Sequence, residues 1–143
     1  MYLNCHSFHS LRFGTIPLEE LAAQASHYGV KAMALTDVNT VTGIYDFIKA
    51  CHEAAIHPVV GMEFRDAGKF RYITLARNAQ GLSEINRLRT AHNFDGTPLP
   101  LQPPNFENVF VVYAMDFFPE KLADWNCNLK VETFYAANFC FDR

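Results

Sequence analysis

The chain has 143 residues, of which 50% are hydrophobic and 14% aromatic, and its formal net charge is -3. This composition predicts a folded domain with its own core and excludes an intrinsically disordered segment. The negative charge gives no support for tight electrostatic binding to nucleic acid by this segment, and no apolar run approaches the roughly 20 residues of a membrane-spanning helix. The cysteines form no CxxC pair, so we expect reduced thiols in a cytoplasmic protein; they are Cys5, Cys51, Cys127 and Cys140.

The amino-terminal half of the chain alternates between predicted strands and predicted helices. Short apolar runs that end in polar residues predict strands over 2–5, 31–36 and 59–64. Pro17 suits the first turn of a helix and Gly29 suits the position just past its end, so a first helix is expected between them. Apolar residues at helical spacing predict a second helix, which contains Ile44, Phe47, Ile48, Cys51 and Ala55. His57-Pro58 is expected to break this helix.

The remainder begins with turn chemistry at 66–69, which predicts a hairpin between the third strand and a strand over 70–76. A third helix is expected to start after Gly81. The proline-rich segment 93–105 predicts a loop, 109–114 a buried strand and 119–125 a short helix, whereas 126–143 has no clear periodicity. This order predicts an α/β fold with a mostly parallel sheet. The chain is too short for a closed eight-unit barrel of about 250 residues.

Polar side chains are predicted at the carboxyl ends of the first three strands. They are His6, Asp37 and Glu63, and imidazole and carboxylate groups are ligands for zinc or manganese. A metal there would lower the pKa of a bound water for attack on a phosphate ester. His9 joins such a site only if its loop bends inward. Each residue also has an ordinary interpretation, as a surface histidine, a helix-capping aspartate and a solvated glutamate.

Three segments of the chain carry recognisable motifs: Leu3-Asn4-Cys5-His6-Ser7-Phe8-His9-Ser10-Leu11, Ala34-Leu35-Thr36-Asp37-Val38-Asn39 with Gly43 and Phe47, and Pro58-Val59-Val60-Gly61-Met62-Glu63-Phe64. They resemble the polymerase and histidinol phosphatase (PHP) family, and more closely its version at the amino terminus of bacterial replicative DNA polymerase III alpha subunits. Their spacing fits from residue 3 to about 76, with a looser fit over 81–125. The resemblance implies a partial or distorted (β/α)7-type PHP barrel as one domain over 1–143, with a loop over 93–105 and an unassigned tail over 126–143. Since the chain is shorter than the family's PHP domain, we expect a fragment.

The metal ligands of the family are only partly present in this sequence. Active members hold up to three metals and hydrolyse phosphate esters. Asn4 stands at the first histidine of the family's His-x-His-Ser motif, and Val38 at the histidine of Thr-Asp-His. Arg12-Phe13 occupies a region that usually carries an acidic residue or histidine. The remaining ligands, too few for a multi-metal cluster, are His6, Asp37 and Glu63. The resemblance therefore implies a degenerate site without a cofactor in this segment, and zinc or manganese if the site is active.

Three functional hypotheses follow. The first is a structural domain, itself inactive, of a DNA-directed DNA polymerase. Its partners would be the remainder of the polymerase chain, the replisome subunits and DNA bound through the parent protein, with no membrane. The second is a free-standing PHP phosphoesterase or 3′-5′ exonuclease that uses His6, His9, Asp37 and Glu63. The third is a partner-binding module that docks through the proline-rich residues 98–104.

Overall fold

The computed structural model describes residues 1–113, which form five strands and three helices. The strands are β1 (Tyr2–Cys5), β2 (Ala32–Leu35), β3 (His57–Asp66), β4 (Lys69–Ala76) and β5 (Val109–Val112). The helices are α1 (Leu18–His27), α2 (Ile44–Glu53) and α3 (Ala79–Asp95). Within residues 1–113 no helix is long and apolar enough to cross a membrane. The helix expected over 119–125 and the tail over 126–143 lie outside the described residues.

The five strands form one sheet in the sequential order β1-β2-β3-β4-β5. β1, β2 and β3 are parallel, whereas β3, β4 and β5 are antiparallel. The expectation of a mostly parallel sheet is therefore wrong for the second half, because β3 turns directly into β4 without a crossover helix. Sequential parallel strands joined through α1 and α2 form a segment of barrel wall. The predicted α/β class, as a partial or distorted barrel, is confirmed.

The hairpin between β3 and β4 was predicted correctly. Its central residues, Ala67 and Gly68, have φ angles of 48° and 78°, and two left-handed residues give a turn whose twist matches that of the paired strands. The strands approach closely at Gly61, where a Cβ atom would lie 2.0 Å from the carbonyl oxygen of Thr74. The hairpin therefore needs a residue without a side chain at this position.

Three clusters of buried hydrophobic residues within residues 1–113 support the sheet, and two of them are larger than the third. In the first, α1 and α2 pack against β2, and its buried members include Leu18, Met33, Leu35 and Phe47. The second lies between α3 and the hairpin, and its members are Met62, Phe64, Tyr72, Ile85 and Leu99. Leu99 belongs to the proline-rich segment, so this segment is anchored to the domain although it forms no helix or strand beyond the end of α3.

The predicted end of α2 and start of β3 were wrong. α2 ends at Glu53, and Ala55, which was expected in the helix, follows with a left-handed φ of 57°. β3 begins at His57, so His57 and Pro58 pair with β2 and do not break the helix themselves. The chain reverses at Ala55, before the proline, and this reversal ends the helix.

The predicted start of α3 was also wrong. α3 begins at Ala79, so Gly81 lies in its first turn. The side chain of Asn78 accepts a hydrogen bond from the backbone N–H of Gly81 at 3.0 Å, which is the usual role of an asparagine at a helix N-cap. α3 continues to Asp95 and Gly96 then ends it with a φ of 65°. The loop therefore starts three residues later than expected.

Candidate functional site

The three predicted site residues lie beside one another at one edge of the sheet. His6 follows β1 directly and Asp37 lies two residues past the end of β2, but Glu63 lies inside β3 and not at its end. A parallel bridge joins Val38 to Glu63, and the backbone N–H of Glu63 donates to the carbonyl oxygen of Asp37 at 3.2 Å. Strand-end reasoning therefore placed the residues in the right region, because neighbouring parallel strands bring their carboxyl ends to the same edge.

Asp37 is 2% exposed, and its carboxylate points into the loop between β1 and α1. Oδ1 accepts hydrogen bonds from the backbone N–H of Ser7 at 2.7 Å and from the hydroxyl of Ser10 at 2.6 Å. Oδ2 accepts the hydroxyl of Ser7 at 2.7 Å. The hydroxyl of Ser10 also accepts the backbone N–H of Val38 at 2.8 Å. Asp37 thus fastens the loop to the end of β2.

The same loop also carries His9, whose ring lies beside the segment that precedes α2. The ring of His9 packs against Gly43, where an added Cβ atom would lie 2.6 Å from Cδ2. The structure describes no hydrogen bond or ion pair within residues 1–113 that joins this ring to His6, Asp37 or Glu63. A ligand role for His9 stays a prediction.

Glu63 is 1% exposed and faces donors from three elements of the chain. Oε2 accepts the side-chain amide of Asn4 at 3.1 Å and lies 3.0 Å from Nε2 of His6. Oε1 accepts Nε of Arg65. Burial alone would raise the pKa of Glu63, but the hydrogen bonds and charges of His6 and Arg65 outweigh it and hold the pKa below its usual value. Glu63 is therefore a carboxylate at neutral pH.

Arg65 brings a positive charge into this cluster. It lies two residues after Glu63 in the same strand, so both side chains leave the same face of the sheet. Its guanidinium carbon lies 4.3 Å from the centroid of the Phe13 ring. The sequence analysis did not identify Arg65; Arg12, the arginine that it named beside Phe13, is exposed and has a φ of 74°. Side chains alternate between the two faces of a strand, so the position two residues after Glu63 indicates that Arg65 shares its face.

Asn4, which stands at a histidine position of the family motif, links three strands. Its Nδ2 donates to Glu63 of β3, and its Oδ1 accepts the hydroxyl of Thr36, just past β2, at 2.6 Å. The amide group therefore presents its donor, and not a lone pair, to the carboxylate.

This set of side chains does not fit a divalent ion. A metal requires several lone pairs directed at one point, but the oxygens of Glu63 face an amide, an imidazole and a guanidinium, and those of Asp37 face hydroxyls and an N–H. In the part of the chain that the structure describes, no three His, Cys, Asp or Glu side chains could hold a metal ion together. Metal binding by His6, Asp37 and Glu63 stays a prediction.

Comparison with known proteins places the chain among homologues. The sequence profile of the PHP domain matches residues 3–121. The chain belongs to the PHP domain family. This PHP domain is 36% identical over 98 residues to an error-prone DNA polymerase of Symbiobacterium thermophilum, covering 68% of this chain and 9% of that protein. It is 29% identical over 118 residues to a DNA polymerase III subunit alpha of Staphylococcus epidermidis, covering 78% of this chain and 11% of the relative.

Two further comparisons complete this picture. A DNA polymerase III subunit alpha of Chlamydia muridarum is 37% identical over 70 residues, covering 49% of this chain and 6% of that protein. One solved structure, from Bifidobacterium adolescentis, is described as that of a proposed metal-dependent phosphoesterase. Its TM-score with this chain is 0.47 at 22% identity, and the match covers 64% of this chain and 34% of that chain. The chain thus spans a small part of each curated relative. The resemblance recognised from the three sequence segments is confirmed.

Proposed function

We propose that this PHP domain has a degenerate metal site and a structural role in a bacterial replicative DNA polymerase III alpha subunit. The observation that carries the proposal is that Asp37 and Glu63, the two carboxylates of the site, bind donors of their own chain. The similarity to polymerase chains supports the assignment to a polymerase subunit. The match covers a small share of those chains, so their polymerase domains would lie outside the matched region. In this proposal DNA synthesis is carried out by those other domains.

The structural role follows from which elements the two carboxylates connect. Asp37 binds the loop after β1 to the end of β2, over a separation of 30 residues between Ser7 and Asp37. Glu63 binds Asn4 of β1 and His6 to β3. Hydrogen bonds to buried carboxylates such as these help to fix the relative positions of the elements they join. In our proposal this edge of the domain is a rigid support for the remainder of the polymerase chain.

The proposal includes the partners and the compartment. The remainder of the polymerase chain and the replisome subunits would contact the domain, DNA would bind through the parent protein, and the protein would be cytoplasmic. The natural reading frame tests this setting directly. A frame that continues into polymerase domains supports the proposal, and a gene that encodes the PHP domain alone contradicts it.

The inactive site is tested with the purified 143-residue chain. Zinc and manganese are titrated by calorimetry, and hydrolysis is measured with p-nitrophenyl phosphate and with a 3′-labelled single-stranded DNA. We expect no stoichiometric tight binding and no hydrolysis above that of a Glu63→Gln variant. Asn4→His alone is not expected to restore activity, because Arg65 still binds Glu63. Metal-dependent hydrolysis that disappears in Glu63→Gln would favour the free-standing phosphoesterase or exonuclease.

A further inference from the structure

The guanidinium of Arg65 is held by contacts on several sides. Nε donates to Glu63, which is 1% exposed, while Arg65 itself is 23% exposed. Nη1 donates to the carbonyl oxygen of Gly68 at 3.3 Å, and the ring of Phe13 covers the guanidinium at 4.3 Å. A carboxylate, a carbonyl oxygen and an aromatic face all favour a positive charge between them. These groups form an environment that favours a cation, and the guanidinium of Arg65 occupies it.

The backbone of Arg65 is also held by hydrogen bonds, which restrict where its side chain can lie. Its N–H donates to Oδ1 of Asn39 at 3.0 Å, and Nδ2 of Asn39 donates to its carbonyl oxygen at 2.8 Å. The carbonyl oxygen of Asn39 in turn accepts Nε of Arg89 at 3.0 Å. These contacts hold the point where the register of β3 against β4 shifts, between Phe64 and Arg65.

A divalent ion at Glu63 would compete directly with this arrangement. To reach Oε1 the ion would have to displace Nε of Arg65, and it would remain next to the positive charge of the guanidinium. Phe13, which lies in the region where the family resemblance implies a ligand, offers a ring to the guanidinium and no lone pair to a metal. The contacts that hold Arg65 therefore also disfavour a metal.

We propose that Arg65 is the built-in cation of this site: its guanidinium takes the place of a divalent metal at Glu63 and prevents one from binding there. The inference rests on the proposed function, because it presupposes an inactive site. It goes further by assigning the exclusion of metal to one side chain. Removal of the guanidinium should expose Glu63, together with His6, as a weak site for manganese or zinc.

The test compares Arg65→Met with Arg71→Met in the 143-residue chain. Arg71 is a matched control, because it lies in the same hairpin, is 18% exposed and pairs with Asp66 at 2.8 Å, but Asp66 is 23% exposed. The dissociation constant of Arg65→Met for manganese or zinc is first measured by calorimetry. Thermal unfolding of the wild type and of both variants is then followed in chelator and at a metal concentration of about ten times that constant. We expect Arg65→Met to have a lowered Tm that the metal raises by roughly 4 °C. The wild type and Arg71→Met should show no metal-dependent shift.

Further variants locate the effect. Arg65→Lys keeps the charge and should remain insensitive to metal, whereas Arg65→Met combined with Glu63→Gln should lose the metal response. If Arg65→Met does not fold in either condition, Arg65→Gln, which is polar but also lacks the positive charge, replaces it and should likewise show a metal-dependent rise in Tm. An Arg65 variant without charge that responds to metal no more than Arg71→Met overturns this inference and leaves the proposed function intact. Metal binding with hydrolysis in the wild type overturns the proposed function itself.

Discussion

Asp37 tests the proposed structural role most directly, because the structure uses its carboxylate as a loop anchor. In Asp37→Ala the backbone N–H and hydroxyl of Ser7 and the hydroxyl of Ser10 lose their acceptor in a region from which water is excluded. A buried donor left without a partner is more costly than a hydrogen bond that never existed. We therefore expect Asp37→Ala to be strongly destabilising without any metal present.

The magnitude follows from the three hydrogen bonds. A hydrogen bond to a charged group contributes roughly 1.5–3 kcal/mol, so three independent bonds would give about 5–9 kcal/mol. The bonds share one carboxylate and are not additive, and water can enter the space that the side chain leaves. We expect a loss of about 3–5 kcal/mol in the free energy of unfolding. Asp37→Asn should lose only about 1–2 kcal/mol, because its Oδ1 still accepts and the Ser7 hydroxyl can accept from its Nδ2.

Urea unfolding followed by circular dichroism measures these losses, with and without a chelator. Asp46→Ala is the control, because Asp46 is exposed in the first turn of α2 and should contribute at most about 1 kcal/mol through the helix dipole. An Asp37→Ala variant within about 1 kcal/mol of the wild type, at an unchanged denaturant slope, would refute the anchor. A loss that appears only when metal is present would instead support a ligand role for Asp37.

Three other perturbations test separate parts of the structure. Gly61→Ala should lower the free energy of unfolding by about 1–3 kcal/mol, because its Cβ atom would lie 2.0 Å from the carbonyl oxygen of Thr74; an unchanged urea midpoint would contradict this close approach. Burial raises the pKa of Cys5 and of Cys51 from 9.0 to about 11, with Cys51 adding to the shift at Cys5. At a pH near neutrality the thiols of Cys5 and Cys51 should therefore react with an alkylating reagent about 100-fold more slowly in the folded chain than in urea. Mass spectrometry measures the rate at each cysteine, and equal rates in the folded chain and in urea would argue against burial. The folded pKa of Glu63 lies below its unfolded value of 4.5, so its contribution to stability is present above that value and is lost as the pH falls through the folded pKa. The urea midpoint of the wild type should thus fall more steeply than that of Glu63→Gln between about pH 6 and about pH 3, and parallel curves would count against the pairing.

The sequence predicted the elements whose signals are local. Pro17 and Gly29 flank α1 as expected, with Pro17 at its N-cap and Gly29 left-handed just past its end. The turn at 66–69 and the strands beside it were also predicted, because turn chemistry and apolar runs are encoded in neighbouring residues. The errors at α2 and α3 have a common cause. Their ends are set by a left-handed Ala55 and by the cap at Asn78, neither of which is signalled by periodicity.

The sequence predicted that the candidate residues would lie close together, but it did not predict their hydrogen-bond partners. Strand-end reasoning brought His6 to Glu63, which lie 3.0 Å apart. It did not predict that the Asp37 carboxylate binds the hydroxyl of Ser7, which is 30 residues away. This contact depends on the conformation of the loop between β1 and α1, which the sequence pattern does not indicate. Arg65 has no ligand atom for a cation, so the pattern of metal ligands in the sequence did not indicate its place beside Glu63.

The pair formed by Glu63 and Arg65 is separated by only two positions in the chain, whereas Asp37 and Ser7 are 30 residues apart. A contact of such short sequence separation needs little loop closure, so it can form as soon as the β3–β4 hairpin does. A carboxylate held by a metal at several strand ends would have to wait for distant segments and for the ion itself. Pairing of Glu63 with Arg65 inside one hairpin therefore needs neither distant segments nor an ion to match the carboxylate charge. If the site is degenerate, as we propose, completion of the fold would need no metal.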